Sequence, residues 1–256
     1  MRTAKTTVIC LMGVIVSSCR ASTIDVRIEP REEATAWSSF SSEPEQVKIV
    51  TVTIPSSVNL DVPFTPQAPA ANWKSPFQEA CEEAAAIITD YFYRGSRFSP
   101  EIATLEILQL TQWEEAHGYP EDVTVEQLAE IVRAYYGYDA RVSDAVTKDS
   151  ILYELSQGHP VIVPTAGRML GNPYYSGDGP WYHMLVIRGY DGRYFITNDP
   201  GTRRGENYSY TFDTVLAAVH DWTGVKEDIA TGPKKMLIVT KHESPPAMIK
   251  GKKTLQ

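Results

Sequence analysis

The chain has 256 residues, of which 43% are hydrophobic and 22% are charged, a composition typical of a globular protein with a sizeable buried core. Its net charge of -8 and isoelectric point near 5.2 argue against nucleic-acid binding, because phosphate recognition needs clustered Lys and Arg. The one locally basic stretch is the tail from Lys250 to Lys253, which we interpret as a solvated end. We therefore expect no nucleic-acid partner.

Residues 1–21 have the pattern of an export signal. Arg2 and Lys5 precede a short apolar run, Val8 to Val16, and small residues follow before Cys19. The run is too short to predict a transmembrane helix. The letters "VSSC" resemble a bacterial lipobox, in which Cys19 would receive a lipid, and ordinary signal cleavage just beyond it is the alternative. The prediction is an exported protein, either secreted or attached to a membrane through lipid on Cys19.

Residues 22–57 predict a polar linker followed by a strand. The letters "REEATAWSSFSSEPEQ" are polar and irregular, whereas "VKIVTVTI" alternates as a strand does. We expect this strand to join the fold. The globular domain itself is predicted over residues 58–242, and a polar tail over 243–256.

Helices are predicted in the first part of this domain. One begins near Cys81, after a loop rich in proline and alanine, and a second runs from Pro100 to Ala116. Thr124 and Gln127 predict a capping box for a third helix, and the letters "DSILYELSQG" predict a shorter fourth one.

From residue 159 onward the pattern changes to short strands. The runs "HPVIVPT", "HMLVIRGY", "GRYFITND", "YSYTF" and "KMLIVTK" are rich in β-branched and aromatic residues and are separated by turn residues. Helices that precede strands in the chain predict the α+β class. We expect a helical lobe packed against a twisted antiparallel sheet, with a cleft between them.

Cys81 would be the one cysteine of the mature body, because Cys10 and Cys19 lie in the predicted signal. An odd cysteine in an exported protein indicates a free reactive thiol or an intermolecular disulfide. A small buried apolar residue is the alternative. A helix N-terminus lowers the pKa of a thiol, and Cys81 lies near such a start. We therefore predict that Cys81 is a catalytic nucleophile.

His183 and Asp199 are the candidates for the base and for the group that orients it. His183 opens an apolar strand and Asp199 ends the next, so the two side chains meet if these strands are neighbours. The alternatives are a hydrogen-bonded core histidine and an aspartate that caps the "DPGT" turn. The amide of Gln67 and the backbone N–H of Cys81 would stabilise an oxyanion, with Gln78 as the other candidate amide.

The motifs "VPFTPQ", "W", "EAC", "GHPVIV", "HMLVIRGY" and "NDPGT", in this order, resemble the family-39-type cysteine peptidases of the papain-like superfamily. The resemblance covers roughly residues 58–242. It implies a papain-like fold, with Cys81 as the nucleophile, His183 as general base and acid, Asp199 as the orienting carboxylate and Gln67 as the oxyanion-hole amide. It implies cleavage of a peptide or other amide bond through a thioester, without a cofactor.

The chain departs from this resemblance directly after the proposed nucleophile. Many family members have Gly-Pro there, whereas Glu82 and Glu83 follow Cys81 in this chain. Carboxylates near a thiol oppose thiolate formation. The open alternatives are an acyltransferase, transpeptidase or cell-wall amidase with the same thioester chemistry, and a catalytically inactive peptide-binding module of the same fold.

The expected partner is a peptide or protein substrate. Residues 165–182 form a long loop rich in glycine and proline that leads into His183, and we interpret it as a mobile wall of the cleft. Trp73, Trp181 and Tyr182 are candidate substrate contacts, with packing between lobes as the alternative. No CxxC or HxxxH pair supports a metal site. The oligomeric state stays open.

Overall fold

The structure, a computed structural model, describes residues 22–27 and 49–242 of the chain. The predicted export signal, the candidate lipidation site Cys19 and the predicted tail from residue 243 lie outside the described residues, so these remain predictions. Within the described ranges, no helix combines the length and the apolar character that a membrane span requires.

The first of two compact units, residues 1–56, contains two antiparallel strands, β1 (Ser22–Arg27) and β2 (Ile49–Ile54). Strand β2 lies where the sequence predicts a strand. Its hydrogen-bonded partner among the described residues is β1. Strand β1 lies at the start of the segment predicted as linker, and its sequence, "STIDVR", alternates polar and apolar residues as a strand does.

The second unit, residues 57–256, contains the predicted helices. Two predicted helix starts are confirmed: Ser99 caps a helix that begins at Pro100, and Thr124 and Gln127 form a capping box. The helices of this unit within the described residues are α1 (Cys81–Arg94), α2 (Pro100–Ala116), α3 (Val125–Ile131), α4 (Lys148–Ser156) and α5 (Phe212–Ala218).

The described part of this unit forms one sheet of seven strands, all paired antiparallel. The strands are β3 (Ser57–Asn59), β4 (Asp139–Ser143), β5 (Val161–Ala166), β6 (Tyr182–Asp191), β7 (Tyr194–Asn198), β8 (Tyr208–Thr211) and β9 (Met236–Thr240). Their order is β4-β9-β5-β6-β7-β8, and β3 pairs with the far end of β6. Strands β3 and β4 are short segments that the sequence reading did not predict.

Helix α1 packs against β6. Ile87 and Ile88 on the helix share one apolar core with Met184 and Val186 on the strand, and all four are fully buried. A fully buried side chain of this size contributes about 1.5–3 kcal/mol through the hydrophobic effect. This packing brings the first residue of α1 to the first residues of β6. The predicted α+β class, with a Cys-bearing helix against a His-bearing antiparallel sheet, is confirmed.

Candidate active site

Cys81 is the first residue of α1, and 5% of its surface is exposed. Its Sγ accepts a hydrogen bond from the backbone N–H of Met184 at 3.3 Å, so the thiol lies against the residue that follows His183. The first N–H groups of a helix have no intrahelical partner, which favours negative charge at this position. The fold therefore places the thiol where the sequence predicts a nucleophile.

The thiol is hydrogen-bonded to Glu82. Cys81 Sγ donates to Glu82 Oε2 at 2.9 Å, and the backbone N–H of Val123 donates to Glu82 Oε1 at 3.3 Å. Glu82 is 1% exposed. Burial raises the pKa of the Cys81 thiol well above its ordinary value, and the Glu82 carboxylate raises it further. In this conformation Cys81 is a protonated thiol.

His183 and Asp199 lie side by side, as neighbouring strands require. His183 is the second residue of β6, and Asp199 follows the last residue of β7, which pairs with β6. His183 Nε2 donates to Asp199 Oδ1 at 2.8 Å, and both side chains are almost fully buried. No described residue makes a hydrogen bond to Nδ1. A neutral His183 with its proton on Nε2 therefore has a lone pair on Nδ1 for a further proton.

Asp199 is held by five donors. Its Oδ1 accepts from His183 and from the backbone N–H of Gly201 at 3.0 Å. Its Oδ2 accepts from Asn172 Nδ2 at 3.0 Å, Tyr175 Oη at 2.7 Å and Tyr210 Oη at 2.6 Å. Burial by itself raises the pKa of this carboxyl, but the His183 ring and these hydrogen bonds outweigh it, and the net pKa lies below the ordinary Asp value. Asp199 is an ionised, fixed acceptor for His183.

The His183 ring is enclosed by Tyr175 and Gly201. The rings of Tyr175 and His183 meet edge to face with centroids 5.6 Å apart. A Cβ on Gly201 would lie 2.8 Å from His183 Cε1 and 3.0 Å from Tyr175 Cε1, closer than real Cβ atoms approach. Only glycine fits at residue 201 with the ring in this position.

Gln67 joins the segment before α1 to the segment after β7. Its backbone N–H donates to Pro200 O at 2.9 Å, and its side-chain amide donates to Phe77 O at 3.0 Å and Gln78 O at 2.8 Å. Both amide hydrogens are engaged, so Gln67 would have to release one to bind an oxyanion. Gln78 is exposed in the wall of the same cavity. Gln67 and Gln78 both line this cavity and are both candidates for the oxyanion role.

A cavity of about 580 Å³ opens beside His183, at Tyr175 and Gly201, which enclose the His183 ring. Neither His183 nor Cys81 belongs to its lining. Trp73, a predicted substrate contact, lies in its wall and is 41% exposed. The structure does not place the other two predicted contacts there. Tyr182 is buried and donates to Val123 O at 2.8 Å, and Trp181 lies under the guanidinium of Arg168, 3.4 Å from its central carbon. Tyr182 alternates with His183 along β6 and lies in the buried core with Cys81 and Met184.

Three of the residues that hydrogen-bond to Asp199 were not predicted from the sequence. Asn172 and Tyr175 belong to the loop interpreted as a cleft wall, and Tyr210 belongs to β8. For Asn172 and Tyr175, the one local signal is that a polar and an aromatic residue lie within a loop rich in glycine and proline. Nothing in the letters around Tyr210 indicates its contact with Asp199.

A second cavity, of about 280 Å³, is acidic, with Glu83 of α1 and Glu114 of α2 in its lining. Glu83 Oε1 accepts from Thr111 Oγ1 at 3.3 Å. Glu83 Oε2 and Glu114 Oε1 are buried, and no donor among the described residues reaches them. Burial, together with the Glu83 carboxylate, raises the pKa of Glu114 to about 10. Glu114 therefore holds a proton at neutral pH, which it can share with Glu83.

We expect Glu114→Gln to stabilise the fold at neutral pH. Folding raises the Glu114 pKa from about 4.3 in the unfolded chain, so wild-type stability falls as pH rises above that value. The amide of Gln does not ionise and can donate a hydrogen bond to Glu83, which should raise the free energy of unfolding by about 1–3 kcal/mol. The melting temperature should rise at pH 8 and change little at pH 4, with Glu115→Gln as the control. An equal change at both pH values would contradict this account.

The fold, with a buried cysteine at a helix start and a His–Asp pair at the end of an antiparallel sheet, is of the papain-like cysteine-peptidase type. No hydrogen bond between described residues joins Cys81 to His183. The chain belongs to the Peptidase_C39 like family, which it matches over residues 59–227. The family resemblance predicted from the sequence is thereby confirmed.

Two solved structures are similar to the chain. One is described as a C39-like peptidase from Bacillus anthracis, with 13% identity, a TM-score of 0.49, and coverage of 73% of this chain and 99% of that one. The other is xylellain, a cysteine protease from Xylella fastidiosa, with 13% identity, a TM-score of 0.31, and coverage of 74% and 87%. No curated protein matches the chain significantly.

Proposed function

We propose that the protein is a thiol hydrolase that cleaves a peptide or other amide bond through a thioester on Cys81. The observation that carries the proposal is the His183–Asp199 pair, with Nε2 on the carboxylate at 2.8 Å and Nδ1 without a partner among described residues. The pair adjoins Met184, whose N–H touches Cys81 Sγ. Membership of a peptidase-like family supports the same activity.

The first half of the reaction forms the thioester. The Cys81 thiol leaves Glu82, its proton passes to His183 Nδ1, and Sγ attacks the carbonyl carbon of the substrate. The resulting oxyanion binds the backbone N–H of Cys81 and an amide of Gln67 or Gln78. The intermediate then expels the amine, which takes the proton from His183. A covalent acyl group remains on Sγ.

The second half consumes water. His183 takes a proton from a water molecule while the oxygen attacks the thioester carbon, and the carboxylic acid product leaves as Sγ recovers a proton. Asp199 stays ionised throughout and stabilises the imidazolium that forms twice in the cycle. An amine or thiol acceptor in place of water would make the protein an acyltransferase.

The second candidate is a catalytically inactive peptide-binding module of the same fold. The hydrogen bond from Cys81 to Glu82 favours it, because this contact keeps the thiol protonated and its proton is donated to Glu82. A binding module would need the cavity beside His183 but no thiolate. The two candidate functions differ in whether the hydrogen bond from the Cys81 thiol to Glu82 breaks when a peptide binds.

We expect the full chain to cleave members of a peptide library and Cys81→Ala to cleave none. New termini detected by mass spectrometry give the rate. Adding glycinamide during turnover separates the two enzymatic alternatives, because a product that carries glycinamide indicates acyl transfer. Equal cleavage by wild type and Cys81→Ala would contradict the proposal. Peptide binding without cleavage by the wild type would favour the binding module.

A further inference from the structure

The cavity beside His183 carries positive charge in an otherwise acidic protein. Its lining comprises aromatic, neutral polar and glycine or proline residues, together with two arginines, Arg203 and Arg204. No carboxylate belongs to this lining within the described residues. The net charge of the chain is -8, so the local sign is opposite to that of the whole molecule. A low-dielectric cleft lined by one sign of charge concentrates ligands of the other sign.

The two arginines are presented by a tight turn that begins at Asp199. Gly205 O accepts from the Asp199 N–H at 3.0 Å, and Thr202 Oγ1 accepts from the Arg204 N–H at 3.2 Å. A Cβ on Gly205 would lie 1.8 Å from the backbone carbonyl oxygen of Asp199, so the turn closes directly on the backbone of Asp199. The same backbone turn therefore positions Asp199 and the two arginines.

Neither guanidinium is neutralised by the protein. Among described residues, no hydrogen bond or ion pair engages the Arg203 guanidinium, and Arg203 and Arg204 are both exposed. The Arg204 guanidinium carbon lies 4.8 Å from the centroid of the Tyr174 ring, which holds it by a cation–π contact and leaves its N–H edge open. Arginine offers a planar fork of donors that matches a carboxylate.

This inference rests on the proposed function and names its substrate class. We propose that the cavity selects acyl donors with a carboxylate near the bond that is cleaved, recognised by Arg203 and Arg204. The carboxylate belongs to an Asp or Glu side chain or to a free C-terminus. Gly201 packs against the His183 ring and lines the same cavity. The two arginines therefore lie close in the chain to a residue that adjoins the proposed base.

Binding to Cys81→Ala protein tests this inference without requiring catalysis. The full chain with that substitution is incubated with acetylated hexapeptide pools in which one position is fixed as Glu or as Gln and the C-terminus is amidated. A third pool has Gln and a free C-terminus. Retained peptides are quantified by mass spectrometry. We expect at least one carboxylate-bearing pool to be retained about ten-fold more than the matched Gln amide pool, and comparing the pools identifies the source of the carboxylate.

The variant Arg203→Glu/Arg204→Glu, made in the same Cys81→Ala chain, should abolish or reverse this preference. Arg193→Glu is the matched control, because Arg193 is exposed at the opposite end of β7 from Asp199 and should leave the preference intact. Equal retention of acidic and amide pools, or an unchanged preference in the double variant, would overturn the inference. Selective retention without cleavage by the wild type would contradict the proposed function, and the recognition of a carboxylate by Arg203 and Arg204 would still hold.

Discussion

Asp199→Asn is expected to lower kcat/KM for peptide cleavage by about 10³–10⁴-fold. Asp199 accepts from His183 Nε2 at 2.8 Å, which holds the proton on Nε2 and leaves Nδ1 free. An asparagine that turns its amide N–H toward the ring favours the opposite tautomer, with the proton on Nδ1. That tautomer cannot accept the Cys81 proton, so the first step fails even where the geometry is kept.

The same substitution should destabilise the fold in a pH-dependent way. The folded pKa of Asp199 is lowered, so its ionised form stabilises the native state above the unfolded pKa of about 3.9. That stabilisation is lost as pH falls through the folded pKa. Asp199→Asn should therefore reduce the melting temperature more at pH 7 than at pH 3. Measuring kcat/KM at a temperature where the variant is fully folded separates catalysis from stability.

Asp191→Asn is the matched control, because Asp191 is exposed at the far end of β6 and should retain full activity. A kcat/KM for Asp199→Asn within about threefold of the wild type would remove Asp199 from the mechanism. It would also leave the five donors around this carboxylate with a purely structural role.

Glu82→Gln is expected to make Cys81 react faster with iodoacetamide at pH 7, by about ten-fold. Glu82 accepts the thiol proton at 2.9 Å, and its charge is the largest cause after burial of the raised Cys81 pKa. Burial, and then the Glu83 carboxylate, raise the pKa of Glu82 as well, so the thiol and this carboxyl compete for the same negative charge. An amide that carries no charge in any state removes this competition and lowers the thiol pKa, and one pKa unit corresponds to ten-fold more thiolate. The amide oxygen of Gln can still accept from the Val123 N–H, so the local fold should persist.

Glu83→Gln is the control for this effect. Glu83 also carries a buried carboxylate in the first turn of α1, but its charge is the smallest of the named causes that raise the Cys81 pKa. Its labelling rate should stay close to that of the wild type. Labelling of Cys81 that becomes slower in Glu82→Gln would show that Glu82 assists thiolate formation, and the account of a restraining carboxylate would then be wrong.

The sequence predicted most of the fold because local signals were strong. The capping residues before α2 and α3 and the β-branched and aromatic runs of β5 to β9 are local signals that can be recognised without knowledge of tertiary contacts. Strand β4 was missed because it is a short, polar edge strand that depends on pairing with β9. The partner of β2 was missed because pairing joins segments that are distant in the chain.

The candidate site was predictable only in part. The positions of Cys81, His183 and Asp199 follow from element boundaries, and the structure brings the His183–Asp199 pair together as neighbouring strands require. The contact of Glu82 with the thiol depends on the Val123 N–H, which lies 41 residues away in the chain. Contacts of this kind depend on tertiary packing and leave no periodic signal in a sequence.

The central claim is that Cys81 and His183 act as a nucleophile and base pair, and the rate of Cys81 alkylation across pH tests it most directly. Iodoacetamide labelling of the full chain is quantified on the peptide that contains Cys81, in wild type and in Glu82→Gln, each with and without His183→Ala. The account predicts a labelling phase below the ordinary thiol pKa that strengthens in Glu82→Gln and disappears with His183→Ala. A single curve above the ordinary thiol pKa, unchanged by His183→Ala in either background, would contradict it.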